Sequence, residues 1–404
     1  MARRVSKRKA KALAAVVVVV IIVAIIIFSY GWFALHLTPL ELINKFMGSK
    51  PEGPSGDGGG FEGGTGLITA ENVQTISEGE FSVHFLELGN KYTGDCIYVR
   101  AGDNDILIDA GSRATSIPSI KSYLDTYVTD NTLEFVIATH AHQDHIDGFA
   151  GTKANPSLFT SYECEIIIDF PKTNNEGKSL YNKYVAARDA EIAEGAIHYT
   201  ALECWNQIDG AKRKYQLTDN TTMSVLYHKF YEESTSDEND YSVCLMFTHG
   251  TKNYLFTGDL EAEGEESLLA HNDLPKVELY KAGHHGSKTS SSEAFLEAIQ
   301  PEIVCVCCCA GNDEYTKAEE NQFPTQAFID RVAPYTDAVY VTTLGDVNFM
   351  EEANKEQEFQ AMNGTIVLLA QAGNNSQLFF SNNDIKLKDT AWFKEKRTAP
   401  SAWQ

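Results

Sequence analysis

Four apolar, β-branched runs in this chain end on side chains that can bind a cation or orient a group that does. "DILIDAG" ends at Asp109, "LEFVIATHAHQDHIDGF" runs into His140, His142, Asp144 and His145, "YLFTGDLEAE" ends at Asp259, and "VELYKAGHHGS" ends at His284 and His285. The loop after the carboxyl end of a buried strand is where a site can be both rigid and open. His140 and His142 alternate by two, so both can lie on one side, while Asp144 and His145 fall on the turn into the next segment. Imidazole and carboxylate together suit zinc, manganese or iron. Asp109 is placed to orient a histidine from behind.

Around these runs the pattern interleaves strands with helices. "FSVHFLEL", "CIYVR" and "DILIDAG" read as a strand meander, and Ile117 to Val128 as a helix. An amphipathic helix is expected near Gly177 to Glu194, then the strand "MSVLYH" and a hairpin, "YSVCLMFTHGTKNYLFTGD", turning at Thr248 to Lys252. "SSSEAFLEAI" reads as a helix, "EIVCVCCCA" as a strand, and "GTIVLLAQAG" with "SQLFFSNN" as a strand pair. Strands outnumber helices and the two interleave, which fits an α/β domain with helices outside two stacked sheets. The eight cysteines lack a disulfide framework spacing, and alternation puts Cys305, Cys307 and Cys309 on one face and Cys308 on the other. That run therefore reads as core packing rather than a metal site.

The amino terminus is of another kind. Arg3, Arg4, Lys7, Arg8, Lys9 and Lys11 form a basic head with no acid, and "LAAVVVVVIIVAIIIFSYGWFAL" (Leu13 to Leu35) follows it. A helix over that run is about 35 Å long, enough to cross a bilayer. The positive-inside rule keeps the head cytoplasmic and sends the rest outward. A cleaved signal peptide is the rival reading, but the run is longer than a usual signal core and no small-x-small site follows it. The expected division is a basic cytoplasmic head over 1–12, a single transmembrane helix over 13–35, a flexible Gly/Pro-rich linker over 36–78, a globular domain over 79–383 and a tail over 384–404. The formal net charge is −23 even with the basic head included, which argues against tight nonspecific binding of polyanions unless a local patch or metal ions reverse the field.

The stretches "HFLELGN...GDCIYV", "ILIDAG", "THAHQDHIDGF", "YLFTGDLEAE" and "KAGHHGSKTSSSEAFLEAIQPEIV" occur in the order found in the metallo-β-lactamase-fold hydrolases, and the chain resembles the extracellular hydrolase domain of ComEC-type DNA-uptake (competence) proteins from about Phe81 to Thr343. The resemblance implies an αββα sandwich behind the membrane helix, with one or two zinc ions, or manganese or iron, at its edge. It implies that His140 and His142 hold a first metal and Asp144 and His145 a second, that Asp259 bridges, and that His284 or His285 completes the second site, with Asp109 and Asp95 behind the ligands. Catalysis would then draw on Asp144, His285 and Lys288. The start of the helix after "GSKTSSSE", near Lys281, reads either as a capping box, Ser290 with Glu293, or as a phosphate seat aided by Ser287 and Lys288.

Two departures stand out. A further histidine is usual between the opening motif and the Thr-Gly-Asp strand, and His198, His228 and His249 are the candidates; His249 reads as a solvated turn residue and the other two as packed or surface residues. "NQFPTQAF" has Phe323 before Pro324 where the branch often has histidine. The function expected is that of a membrane-anchored, outward-facing metallohydrolase, a phosphodiesterase or nuclease using activated water on nucleic acid or a nucleotide. The alternatives are hydrolysis of a lactone, amide or thioester of a small molecule, and a binding module that has lost catalysis. No protein partner is indicated.

Overall fold

The computed structural model describes residues 63–345, 358–370 and 376–404. The basic head, the membrane helix expected over 13–35 and most of the expected linker lie outside the described residues. Among the described residues no helix is long and apolar enough to cross a membrane.

Among the described residues seventeen strands form two sheets. Strands β1 (Thr65–Leu67), β2 (Phe81–Phe85), β3 (Ile97–Ala101), β4 (Asn104–Ile108), β5 (Thr132–Ile137), β6 (Glu163–Asp169) and β7 (Ile197–Thr200) enter the first sheet. The second takes β8 (Lys214–Gln216), β9 (Thr221–Leu226), β10 (Cys244–His249), β11 (Lys252–Phe256), β12 (Leu279–Lys281), β13 (Ile303–Ala310), β14 (Val339–Gly345) and β15 (Phe359–Ala361). The chain then returns to the first sheet with β16 (Ile366–Ala370) and β17 (Gln377–Phe380), giving the orders β1-β17-β16-β2-β3-β4-β5-β6-β7 and β15-β14-β13-β12-β11-β10-β9-β8. The meander β2-β3-β4, the hairpin β10-β11 and the pair β16-β17 are antiparallel, as the alternating runs require. The pairs β4-β5 and β11-β12 are parallel.

Alternation along the strands sorts the core into layers. In the second sheet Leu245, Phe247, Tyr254, Phe256, Ile303, Cys305 and Cys307 join one apolar cluster, while Cys244, Met246, Leu255, Val304, Val306 and Cys308 join the other. The first set meets the opposite sheet: Phe81 lies 6.1 Å from Phe247 between ring centres, Phe85 6.2 Å from Phe256, and Tyr340 4.8 Å from Phe380. The second set packs under helices Ala262–His271, Glu293–Ile299 and Gln326–Val332 through Leu268, Phe295, Leu296, Phe328 and Ile329. On the outer face of the first sheet, His84 meets Tyr123 and Tyr127 of helix Ile117–Tyr127. The result is helix, sheet, sheet, helix.

Several expectations need correction. The linker was drawn to 78, yet β1 pairs in parallel with β17 and helix Ala70–Ser77 buries Ile76. Residues 384–404 are not a loose tail: helix Ala391–Lys396 buries Trp392 and Phe393, and Trp403 is buried beyond it. Helix Ser179–Glu194 buries only Tyr184, so it is a mostly solvated helix and not an amphipathic one. His249 ends β10 instead of sitting in the turn; it is buried, stacks on Phe81 at 5.4 Å, and pairs with the Thr221 hydroxyl at 2.7 Å.

Candidate metal centre

The strands of the two parallel pairs deliver their carboxyl ends to a common edge. β4 leads directly into Asp109, β5 into Thr139 and His140, β11 into Gly258 and Asp259, and β12 ends on Lys281 just before His284 and His285. Asp144 and His145 lie in the first turn of helix Gln143–Ala150, whose amino-terminal dipole favours a carboxylate there. Gly258 has φ +52°, and a Cβ on it would lie 2.8 Å from the Ser242 hydroxyl oxygen, so only glycine lets Asp259 follow this turn. His284 and His285 are consecutive residues in the left-handed region, with φ of 45° and 54°. Non-glycine residues there cost on the order of 1–3 kcal/mol each. The strained pair turns the two rings apart, 6.0 Å between centres and 66° between planes.

One oxygen or nitrogen from each of Asp144, His145, Asp259 and His285 lies within 4.8 Å of the others, and all four residues are buried. His145 donates from Nδ1 to Asp109 Oδ2 at 2.7 Å, leaving Nε2 3.1 Å from Asp259 Oδ2. His285 donates from Nδ1 to the Cys307 carbonyl at 2.8 Å. Its Nε2 is buried without a hydrogen bond, 3.1 Å from Asp259 Oδ2 and 3.3 Å from Asp144 Oδ2. Both rings thus have Nδ1 anchored from behind and Nε2 aimed at two carboxylates, the arrangement of histidines that bind metal. Two imidazoles and two carboxylates suit a divalent cation.

Without a cation the groups shift one another. Burial raises the Asp144 carboxyl, but the adjacent His285 ring and the His145 and His285 charges outweigh it and hold it well below the carboxylate range. Asp259 is likewise held low, by His145, His285 and Lys281 against burial. Burial lowers His145 and His285, yet Asp259 and the carboxylates beside each ring push both well above the usual imidazole value.

Other residues singled out in the sequence stand elsewhere. His140 is buried and its Nε2 lies 3.0 Å from His142 Nδ1, with Thr139 and Ser242 hydroxyls on its Nδ1; this pair sits beside the four-donor group without joining it. His284 points away, its Nδ1 3.1 Å from Glu261 Oε1, so His285 is the member of the pair that faces the cluster. Asp95 lies behind it, Oδ1 3.2 Å from His285 Nδ1. Lys288 is exposed and bonds Asn321 Oδ1 at 2.9 Å, outside the cluster. The expected capping box fails because Ser292 is the cap of helix Glu293–Ile299 and Ser290 donates to the Leu260 carbonyl. The phosphate seat expected there is filled by the protein's own Glu265 carboxylate, which accepts from the Ser291 and Ser292 amides at 2.5 and 2.8 Å. His198 pairs with Asp169 at 2.8 Å, His228 with the Ser242 carbonyl at 2.9 Å and His249 with Thr221, so none of the three reaches the four-donor group.

The sequence pattern did not mark Tyr315 or Glu238, and it offered Lys281 only as a neighbour of the helix start. Tyr315, on the loop after β13, donates its hydroxyl to Asp144 Oδ2 while its ring, half exposed, lies 5.6 Å from Phe323. Glu238 takes the Ala141 amide at 3.2 Å, the Thr173 hydroxyl at 2.6 Å and the Asn174 amide at 2.6 Å, pinning the loop between His140 and His142. Lys281 is not a rim cation but is fully buried behind Asp259. Position directly after β13 was the signal available for Tyr315, and a lysine closing an apolar strand was that for Lys281.

Residues 89–153 match the model of the metallo-beta-lactamase superfamily. The chain is similar to Recombination protein 2 of Haemophilus influenzae, 24% identical over 289 residues, 70% of this chain and 31% of that protein. Competence protein ComA of Neisseria gonorrhoeae is 26% identical over 260 residues, 64% and 30% of the two chains. ComE operon protein 3 of Bacillus subtilis is 34% identical over 178 residues, 43% and 20%. The matches thus span about a third or less of each curated relative. Among solved structures, the metallo-beta-lactamase fold protein YhfI from Bacillus subtilis is 11% identical, with a TM-score of 0.39, over 65% of this chain and 95% of that one. The sequence matches bear out the resemblance to metallo-β-lactamase-fold domains of ComEC-type competence proteins, and the buried histidine and aspartate cluster fits a divalent metal.

Proposed function

We propose that this chain is a metal-dependent hydrolase of phosphodiesters, with nucleic acid as its substrate class, held outside the membrane by the helix expected over 13–35. The observation that carries the reading is the convergence of Asp144, His145, Asp259 and His285, with the buried His285 Nε2 unpaired and aimed at both carboxylates. These four side chains would hold zinc or manganese. Such a cation supplies Lewis-acid charge and lowers the pKa of water, so that hydrolysis at neutral pH needs no serine or cysteine nucleophile.

The chain's own groups supply the rest. Asp109 fixes the His145 ring and its tautomer, and the Cys307 carbonyl does the same for His285. The Tyr315 hydroxyl holds Asp144, and its half-exposed ring forms one wall beside the cluster, a surface on which a base can stack. Similarity to competence proteins supports nucleic acid as substrate. The acidic body favours the rival reading, a small uncharged ester or lactone.

The test is turnover of bis-(p-nitrophenyl) phosphate and of single-stranded DNA with added manganese or zinc. We expect hydrolysis of both, and a loss of at least about 100-fold in Asp144→Ala, the scale on which removing one electrostatic partner of a reacting centre acts. Turnover of a lactone panel by a protein inert toward both phosphodiesters would replace this reading with its rival.

A further inference from the structure

We infer that the centre is built for a single divalent cation, and that the ammonium of Lys281 stands where a second cation's charge would otherwise be needed. The inference rests on reading the buried cluster as a metal centre and adds how many ions it takes and what sets that number.

Four carboxylates, Asp95, Asp109, Asp144 and Asp259, are buried together at this edge. One divalent ion leaves two of those charges uncompensated, and buried charge without a partner costs several kcal/mol, on the order given for desolvated ions. Lys281 answers part of that demand. Its side chain is 1% exposed, and Nζ donates to the Gly258 carbonyl at 2.9 Å and Asp259 Oδ1 at 3.2 Å while forming an ion pair with Asp95 Oδ2 at 2.5 Å.

The same contacts decide where a cation can bind. A carboxylate that bridges two ions commonly gives one oxygen to each, but Asp259 Oδ1 is engaged by the lysine and only Oδ2 faces the imidazoles of His145 and His285. Among the described residues no other group offers a free ligand set for a second ion. Among the described residues, the groups of three or more donors are Asp144, His145, Asp259 and His285 on one side, and Asp95, Asp109 and His145 on the other. In the second group Asp95 faces Lys281, and Asp109 accepts from Thr139 and from His145. His140 and His142 face each other with no carboxylate completing a set. Lys281 also steers two of the four donors, Asp259 directly and His285 through Asp95, which makes it a positioning residue rather than a catalytic one.

The test loads the full chain with manganese(II) and reads metal content by mass spectrometry and the spin state by electron paramagnetic resonance. We expect one equivalent per chain and the six-line spectrum of an isolated ion. Two equivalents with an exchange-coupled spectrum would overturn the count while leaving the metal centre intact; no tight equivalent would remove the metal centre and the inference with it. Lys281→Met keeps the length and deletes the charge, and should weaken manganese binding by about tenfold or more, the scale of losing a group that orients ligands, with Lys281→Arg restoring part of it. Unchanged affinity in Lys281→Met would show a plain structural ion pair. If that variant does not fold, the count and spectrum of the unmodified protein still decide.

Discussion

Asp109 spends both carboxylate oxygens on its neighbours, one on the Thr139 amide at 2.7 Å and one on the Thr139 hydroxyl and His145 Nδ1, and it does so from a left-handed backbone with φ 57°. Strain of that kind persists where surrounding contacts repay it. Asp109→Ala should therefore loosen His145 and weaken metal affinity by about 10- to 100-fold with the fold retained, read by chelator competition alongside circular dichroism. Two histidines outside the centre contribute to the loss of stability in acid. Burial lowers His84 to about 3 and His228 to about 4. Both stay neutral in the folded chain while the unfolded chain takes up protons below about 6.5. Stability is full above that value and falls as pH drops toward 4, by about 1.4 kcal/mol per pH unit for each histidine. His84→Gln should flatten the slope measured by urea unfolding between pH 6.5 and 4. Residue types and their strand-end positions were plain in the sequence, which is why Asp144, His145, Asp259 and Asp109 could be singled out. Neighbours such as His284 and His285 could not be told apart, because both sit in the left-handed region and only the path of the folded turn sets which ring faces inward. The ion-pair partner of Lys281 was equally hidden, since Asp95 lies in the loop between β2 and β3, far away in the chain.

Helix Gln143–Ala150 shows how an element is held to the site it serves. Gly148 brings its amide 3.2 Å from the Ala110 carbonyl, and a Cβ there would fall 2.2 Å from that oxygen. Gly148→Ala must push the helix off the strand end after β4, carrying Asp144 and His145 with it. We expect a loss of about 1–3 kcal/mol in denaturant unfolding, the range for overpacked interiors, and weaker metal binding. Elements with strong period-two alternation were readable, among them the β2-β3-β4 meander, the β10-β11 hairpin and the β16-β17 pair. The three-residue strand β1 is too short for any alternation to be seen. The helix Ala391–Lys396 hid for a different reason: its six residues place two aromatics among charges, which reads as a polar end until a surface exists to receive them.

At the scale of the whole molecule the carboxyl-terminal segment closes the second sheet and supports the rim of the centre. Arg397 donates to the Gln322 and Pro324 carbonyls at 2.7 and 3.0 Å and lies over Trp392. A Cβ on Gly311 would meet Trp392 Nε1 at 2.5 Å, so the indole lies hard against the start of the loop that carries Tyr315 and Phe323. Removing residues 384–404 takes away the buried Leu387, Trp392 and Phe393, side chains worth about 1.5–3 kcal/mol each, and uncovers the apolar surface they pack on. Such a truncation should open the 311–324 loop to limited proteolysis before the rest of the chain is cut.

All eight cysteines are buried as free thiols, four of them in β13 at the middle of the second sheet, and burial pushes them above the ordinary thiol value. An alkylating reagent can reach Cys305 and Cys307, which face the opposite sheet, only when the sheets part. The native chain thus carries its own stopwatch: the rate at which iodoacetamide consumes these two thiols reports how often the sandwich comes open, with no dye or tag introduced.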